Sequence, residues 1–211
     1  MRFVAGLTAA LALSIVPVVG LEARPDTPVA VSAWEIGPVI DGRNYSRGLF
    51  TPSQFADGWG FPIGPSAEPH YVTFRHGSLL GKRQIRMRFR IDGPPGAIVY
   101  GAKCAVGSPS AVTLYFERRG DDWLSDGARW FATFATVQID GPRGETEIVA
   151  PLDARWTSVD RLTADNSPGA FAAAKANADR VGFTFANCEG YGHGATATMP
   201  VRFVVTRFQV I

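Results

Sequence analysis

The chain has 211 residues, 21 Lys and Arg against 19 Asp and Glu, and 46% hydrophobic residues. Charged residues at 19% with 11% aromatics exclude a disordered chain, which lacks apolar surface to bury. A net charge of +2 is too small for a polyanion binder that works by bulk electrostatics, so no nucleic-acid partner is expected.

The length allows one sizeable core. The 23 Gly and 15 Pro point to many turns and therefore to many short strands. The first twenty residues have the pattern of a secretory signal: a basic start at Met1-Arg2, then an uncharged run from Phe3 to Gly20. Cleavage is expected after Gly20, with a second possible site after Ala23, and Pro17 would break a helix near the end of the run. The alternative is an uncleaved anchor, but the run is only about as long as the shortest membrane span. With the leader removed no stable membrane span remains, and the expected location is secreted or periplasmic.

Residues 25–211 then form one domain. Val29 to Ile36 reads as a first strand, and Asp41 to Pro69, with its clustered Gly and Pro, reads as a long loop. His70 to His76 alternates, with Val72 and Phe74 on one face. The clearest strand is Gln84 to Asp92, where Ile85, Met87, Phe89 and Ile91 face one way and Arg86, Arg88 and Arg90 the other. Ala97 to Lys103 is a further strand. Ala111 to Glu117 repeats the alternation, with Val112, Leu114 and Phe116 inward and Thr113, Tyr115 and Glu117 outward. Ala128 to Asp140 reads as one strand. Ser167-Pro168-Gly169 opens the one short helix, with Ser167 as cap and Pro168 in the first turn. Val181, Phe183 and Phe185 form another core row, and the last strand, Val201 to Ile211, slips its apolar phase between Val205 and Phe208, as a bulge would. Trp34, Trp130 and Trp156 lie in strand-like stretches and are expected in or over the core.

Short strands at roughly ten-residue spacing predict an all-β fold. At this length a two-sheet antiparallel jelly-roll β-sandwich with one short helix fits best. In the second half, Val149 to Val159 is followed by the helix, then Val181 to Phe185, a Gly-rich loop and a final apolar strand. That layout resembles the galactose-binding-like jelly rolls of carbohydrate-binding modules, in outline over residues 25–211 and most closely from residue 145 onward.

Cys104 and Cys188 are 84 positions apart, which suits neither a zinc knuckle nor a Cys-x-x-Cys redox pair. In an oxidising compartment they are expected to form a disulfide; the alternative is two buried thiols.

Catalytic constellations are sparse. Gly107-Ser108-Pro109-Ser110-Ala111 lacks the second Gly of a nucleophile elbow. The three histidines are spaced too widely to place a metal, and Asp41, Asp160 and Asp165 are the carboxylates open to a structural calcium; no other cofactor is expected. Glu145 and Glu147 share a strand face, which makes them the candidate pair for a glycosidase, although solvent-facing charges explain them equally. The Arg86, Arg88 and Arg90 row suits either an acidic sugar or a plain solvated face.

Binding needs less machinery: flat aromatics for sugar rings and a few polar groups for hydroxyls. Trp59, Trp123 and Tyr191 lie among Gly, Asp or Asn, Asp121 and Asp122 sit beside Trp123, and His193 shares a Gly-rich loop with Tyr191. The expected ligand-binding group is therefore Trp59, Trp123, Tyr191, His193, Asp121 and Asp122, with no catalytic residues. The expected function is non-catalytic binding of a glycan or cell-envelope polysaccharide. The alternatives are a small polysaccharide hydrolase or lyase, and a structural envelope protein with no small ligand.

Overall fold

The computed structural model describes residues 29–48, 51–125, 127–153, 155–159 and 162–211; the expected leader and both expected cleavage sites lie outside them. In chain order the strands are β1 (Trp34–Gly37), β2 (Val39–Ile40), β3 (Arg43–Asn44), β4 (Ser53–Phe55), β5 (Gly58–Ile63), β6 (Tyr71–Arg75), β7 (Gln84–Asp92), β8 (Val99–Gly101) and β9 (Ser110–Arg118). Then come β10 (Arg129–Phe131), β11 (Val137–Ile139), β12 (Arg143–Pro151), β13 (Thr157–Ser158) and the helix α1 (Pro168–Ala176). The chain finishes with β14 (Ala178–Asn187), β15 (Gly190–Tyr191), β16 (Ala195–Ala197) and β17 (Val201–Val210).

The pairing is nested. β5 pairs with β17, β6 with β14, β7 with β12 and β9 with β10, all antiparallel, and each pair encloses the next along the chain. Successive pairs fall in alternate sheets. One sheet runs β12-β7-β17-β5-β4 and the other β1-β6-β14-β9-β10-β13. That is an antiparallel ribbon rolled over itself, the jelly roll the strand spacing predicts. No helix among the described residues is long and apolar enough to cross a membrane.

The core lies between the sheets. β7 alternates as expected: Ile85, Met87, Phe89 and Ile91 are buried, and the arginines between them are not. Phe203 stacks on Phe89 at 4.8 Å and on Phe61 and Phe183, each at 5.5 Å, so the rings join the sheets across the sandwich. Trp34, Trp130 and Trp156 are buried. β17 carries the expected bulge, between Val205 and Arg207. The helix starts at Pro168 with Ser167 at its N-cap position, but the Ser167 side chain makes no cap bond.

Three expectations are corrected. The loop from Asp41 to Pro69 contains β3, β4 and β5. Gly60 within it is there for closeness rather than for turning: a Cβ on it would stand 2.0 Å from the Phe203 carbonyl oxygen of β17. The stretch Ala128 to Asp140 is two strands separated by a 3-10 turn at Thr133–Ala135. Finally, the outward side of β9 is not solvated. Thr113 and Tyr115 are fully buried, because that sheet is covered on both faces.

Cys104 and Cys188 are joined by a disulfide, which ties the turn after β8 to the turn after β14. A link across 84 positions restricts the unfolded chain by about 4 kcal/mol in the chain-entropy account. The double variant Cys104→Ser/Cys188→Ser is therefore expected to unfold at a clearly lower urea concentration. Native protein should also take up no thiol-alkylating label until it is reduced.

Candidate binding site on the covered face

The outer face of the β6-β14-β9-β10 sheet carries its own apolar group. Tyr71, Tyr115 and Phe131 are buried together, with ring centroids 4.9 Å apart for Tyr71 and Tyr115 and 5.1 Å for Tyr115 and Phe131. The register explains the grouping. Tyr115 pairs with Phe131 on one side and with Gly182 on the other, where a Cβ would stand 2.0 Å from the Val72 carbonyl oxygen of β6.

Loops raise walls around this floor. The β9–β10 turn sets Trp123 edge-on against Tyr71 at 5.1 Å. β15 sets Tyr191 on Phe131 at 5.8 Å, and its hydroxyl shares a 3.2 Å hydrogen bond with Thr136 Oγ1. The result is a cavity of about 730 Å³, within the usual range for a small-ligand site. Besides these rings, it is lined by His70, Lys103, Arg129, Asn187, Glu189 and His193, among others.

Each wall has an anchor. Arg129 Nε lies 3.0 Å from Asp121 Oδ2, and its Nη2 donates to the Trp123 carbonyl at 3.0 Å. The guanidinium carbon sits 4.8 Å from the Trp123 ring centre, a cation–π distance. Asp121 accepts the Trp123 N–H at 2.9 Å, and burial pushes its carboxyl above the usual range. Trp123 is held by these bonds at φ 64°, in the left-handed region a Trp rarely takes.

On the opposite wall, Gly192 sits at φ 82°, where a Cβ would stand 1.9 Å from the Tyr71 hydroxyl, so only glycine fits. The Gly192 carbonyl lies 3.1 Å from His70 Nδ1, and Glu68 Oε1 lies 3.3 Å from His70 Nε2. A neutral imidazole donates to only one of these acceptors. Burial nevertheless holds the His70 pKa below its usual range. Asn187 donates to the Ala102 carbonyl at 2.9 Å and accepts the Glu189 N–H at 2.8 Å, which fixes the base of the β14–β15 turn.

The chemistry on offer is mostly neutral. Burial pushes the Tyr71 and Tyr115 hydroxyls up, so both remain phenols. Tyr115 donates to Glu117 Oε2 at 2.6 Å, and burial pushes that carboxyl up as well. Ser158 lines the cavity, and its buried Oγ has no hydrogen-bond partner among the described residues. Glu189 and His193 face each other at 3.7 Å near the mouth, both well exposed.

Of the residues the sequence singles out, Trp123, Tyr191 and His193 line this cavity, and Asp121 stands behind Arg129 as its ion-pair partner. Asp122 is corrected to a turn residue: its Oδ1 accepts the Leu124 and Ser125 N–H groups and the Ser125 hydroxyl, and the first of these bonds leads in holding its carboxyl low. Trp59 is corrected to the core, 7% exposed and 4.3 Å from Trp34 on the far side of the sandwich, because β5 turns it inward. Sequence reasoning missed Tyr71, Phe131, His70 and Arg129. The available signal was a large aromatic on the opposite side from the core row in β6 and β9.

Glu145 and Glu147 belong to the other sheet. Glu147 Oε1 bonds Arg88 and Arg86 at 3.0 and 2.9 Å, and these bonds hold its carboxyl low; Glu145 accepts the Thr206 hydroxyl. With Arg90 paired to Asp57 and Asp92, the arginine row is matched throughout. Among the described residues no group of three His, Cys, Asp or Glu could hold a metal; Asp160 lies outside them. No protein-family model and no curated protein matches the sequence.

Two measurements probe the anchors. Arg129→Met leaves the Asp121 carboxylate buried without its partner and should cost about 3 kcal/mol of stability, read from urea unfolding with a red-shifted Trp emission. For His70, the depressed folded pKa means that the unfolded chain takes up a proton first as pH falls. Stability present above about pH 6.5 is therefore lost on acidification, and His70→Gln should flatten the thermal-midpoint slope between about pH 7.5 and 5.5.

Proposed function

We propose that the protein is an exported binding domain whose covered face holds a carbohydrate without cleaving it. The observation that carries this reading is the aromatic cavity itself. Trp123, Tyr191, Tyr71 and Phe131 stand around a space of about 730 Å³, and His70, Arg129 and Asn187, each held by hydrogen bonds of its own, are among the polar groups that line it. Sugar rings stack their C–H faces on such aromatics, and a small number of placed polar groups sets their orientation.

Binding without turnover is favoured by where the carboxylates are. Asp121 is engaged by Arg129, Glu117 by Tyr115, and Glu145 and Glu147 lie on the other sheet, which leaves Glu189 as the single carboxylate lining the cavity among the described residues, without a second to form a hydrolytic pair. The basic start and apolar run at residues 1–20 support export, as does a disulfide of the kind that persists in oxidising compartments.

A glycan array probed with the mature protein should give hits, and incubation with those glycans should release no reducing ends. Trp123→Ala and Tyr191→Ala should each weaken the best hit at least tenfold while the far-UV circular dichroism is retained. Trp59→Phe, a core change, should leave the affinity within about twofold. An array without hits, or loss of affinity on Trp59→Phe alone, would sink the reading.

A further inference from the structure

The cavity does not end at Tyr45 and His70. Those two residues and Lys103 also line a second depression of about 290 Å³, whose far side is built by Arg43, Asn44, Arg47 and Glu68. A ligand lying in the main cavity can thus extend a substituent past Tyr45 into this side pocket.

Its charge is not balanced. Arg47 Nη2 pairs with Glu68 Oε2 at 3.2 Å, so those two cancel. Arg43 spreads its guanidinium over the Tyr45 ring at 5.0 Å and has no carboxylate partner among the described residues. Lys103, which lines this pocket, makes neither an ion pair nor a side-chain hydrogen bond among the described residues. This differs from the arginine row on the opposite sheet, where each guanidinium meets a carboxylate.

The lysine is also held in place. Its backbone lies at φ 63°, a conformation costly for a residue with a Cβ. Cys104, the next residue, is tied to Cys188, and the preceding Ala102 is bonded through its N–H to Gly194 and through its carbonyl to Asn187. An unneutralised cation on a fixed backbone beside a ligand-sized space suits an anion.

We propose that the carbohydrate taken by the main cavity is an acidic one, and that its carboxylate or sulfate group sits in the side pocket between Lys103 and Arg43. The proposal rests on the carbohydrate reading above. Both cations are solvent-exposed, so the attraction is screened and affinity falls with added salt.

The test uses three oligosaccharides of one backbone and length: a uronate form, its carboxyl-reduced neutral form and a sulfated form. Each is titrated into the mature protein calorimetrically at low and at high salt. At least one acidic form is expected to bind tenfold or more tightly than the neutral form, about 1.4 kcal/mol, and to lose most of that advantage at high salt. Which acidic form it is distinguishes carboxylate from sulfate. The double variant Lys103→Gln/Arg43→Gln, checked for folding by circular dichroism, should bring the acidic-to-neutral affinity ratio to within about twofold of one.

Equal binding of all three forms by the wild type would overturn the acidic preference and leave the carbohydrate reading standing. So would a ratio untouched by the double variant, as regards the side pocket. Failure of all three to bind, alongside an array without hits, would remove both.

Discussion

The architecture turns on one constraint: the β6-β14-β9 sheet is buried on both of its faces. Facing the sandwich it contributes Val72, Phe183 and Leu114; facing outward it contributes Tyr71 and Tyr115, with Phe131 beside them on β10. A sheet packed on one side only would have polar residues on the other. Here the outer rings must be taken from water by something that is not a third sheet. Loops supply the cover, through Trp123, Val159 and Tyr191. A loop cover touches the floor at its edges and leaves space in the middle, and that space is the cavity.

Loops can do this only if they are fixed, since a mobile cover would spend binding energy on its own ordering. The fixings differ in chemistry. The Arg129–Asp121 pair holds the Trp123 turn, the disulfide with Asn187 holds the β14–β15 turn, and the contact of His70 with Gly192 holds the Gly-rich loop. The non-glycine residues at positive φ among those described are Asp41, Lys103 and Trp123. Lys103 and Trp123 line the cavity, and Asp41 is in the β2–β3 turn between Ile40 and Arg43. Backbone strain of this kind persists where the surroundings over-determine it, and it collects at ligand sites.

The jelly roll was legible because its core strands obey period two with a long side chain at each inward position. β7 is the plainest example, with arginines marking its solvated side. The same rule misled at β9. Thr113, Tyr115 and Glu117 look like an outward face, and nothing local says that Phe131 and Tyr71 will arrive beside Tyr115 from strands 16 and 44 positions away. Trp59 failed for the opposite reason: flanking glycines suggested a loop, whereas they record the close approach of β17. Trp123 and Tyr191 were visible because a large ring within a turn or a Gly-rich loop has few core positions to fill. Arg129 was not, since its meaning depends on Asp121 across a turn.

The distribution of charge follows from the same asymmetry between the sheets. On the β7 face the arginine row meets carboxylates from β12, from the β4–β5 turn and from β7 itself: Glu147 lies opposite Arg88 in the ladder and reaches Arg86 as well, and Arg90 meets Asp57 and Asp92. Such exposed pairs add little stability individually, but they leave that face close to neutral and solvated. On the covered face Arg129 opens β10 opposite Glu117 in the ladder but takes its partner, Asp121, from the β9–β10 turn. Arg129 is buried, and it is matched because an unpaired guanidinium there would be costly. Arg43 and Lys103 lie at the rim, where water lowers the penalty for standing alone, so the fold tolerates cations there that it would not tolerate one layer deeper.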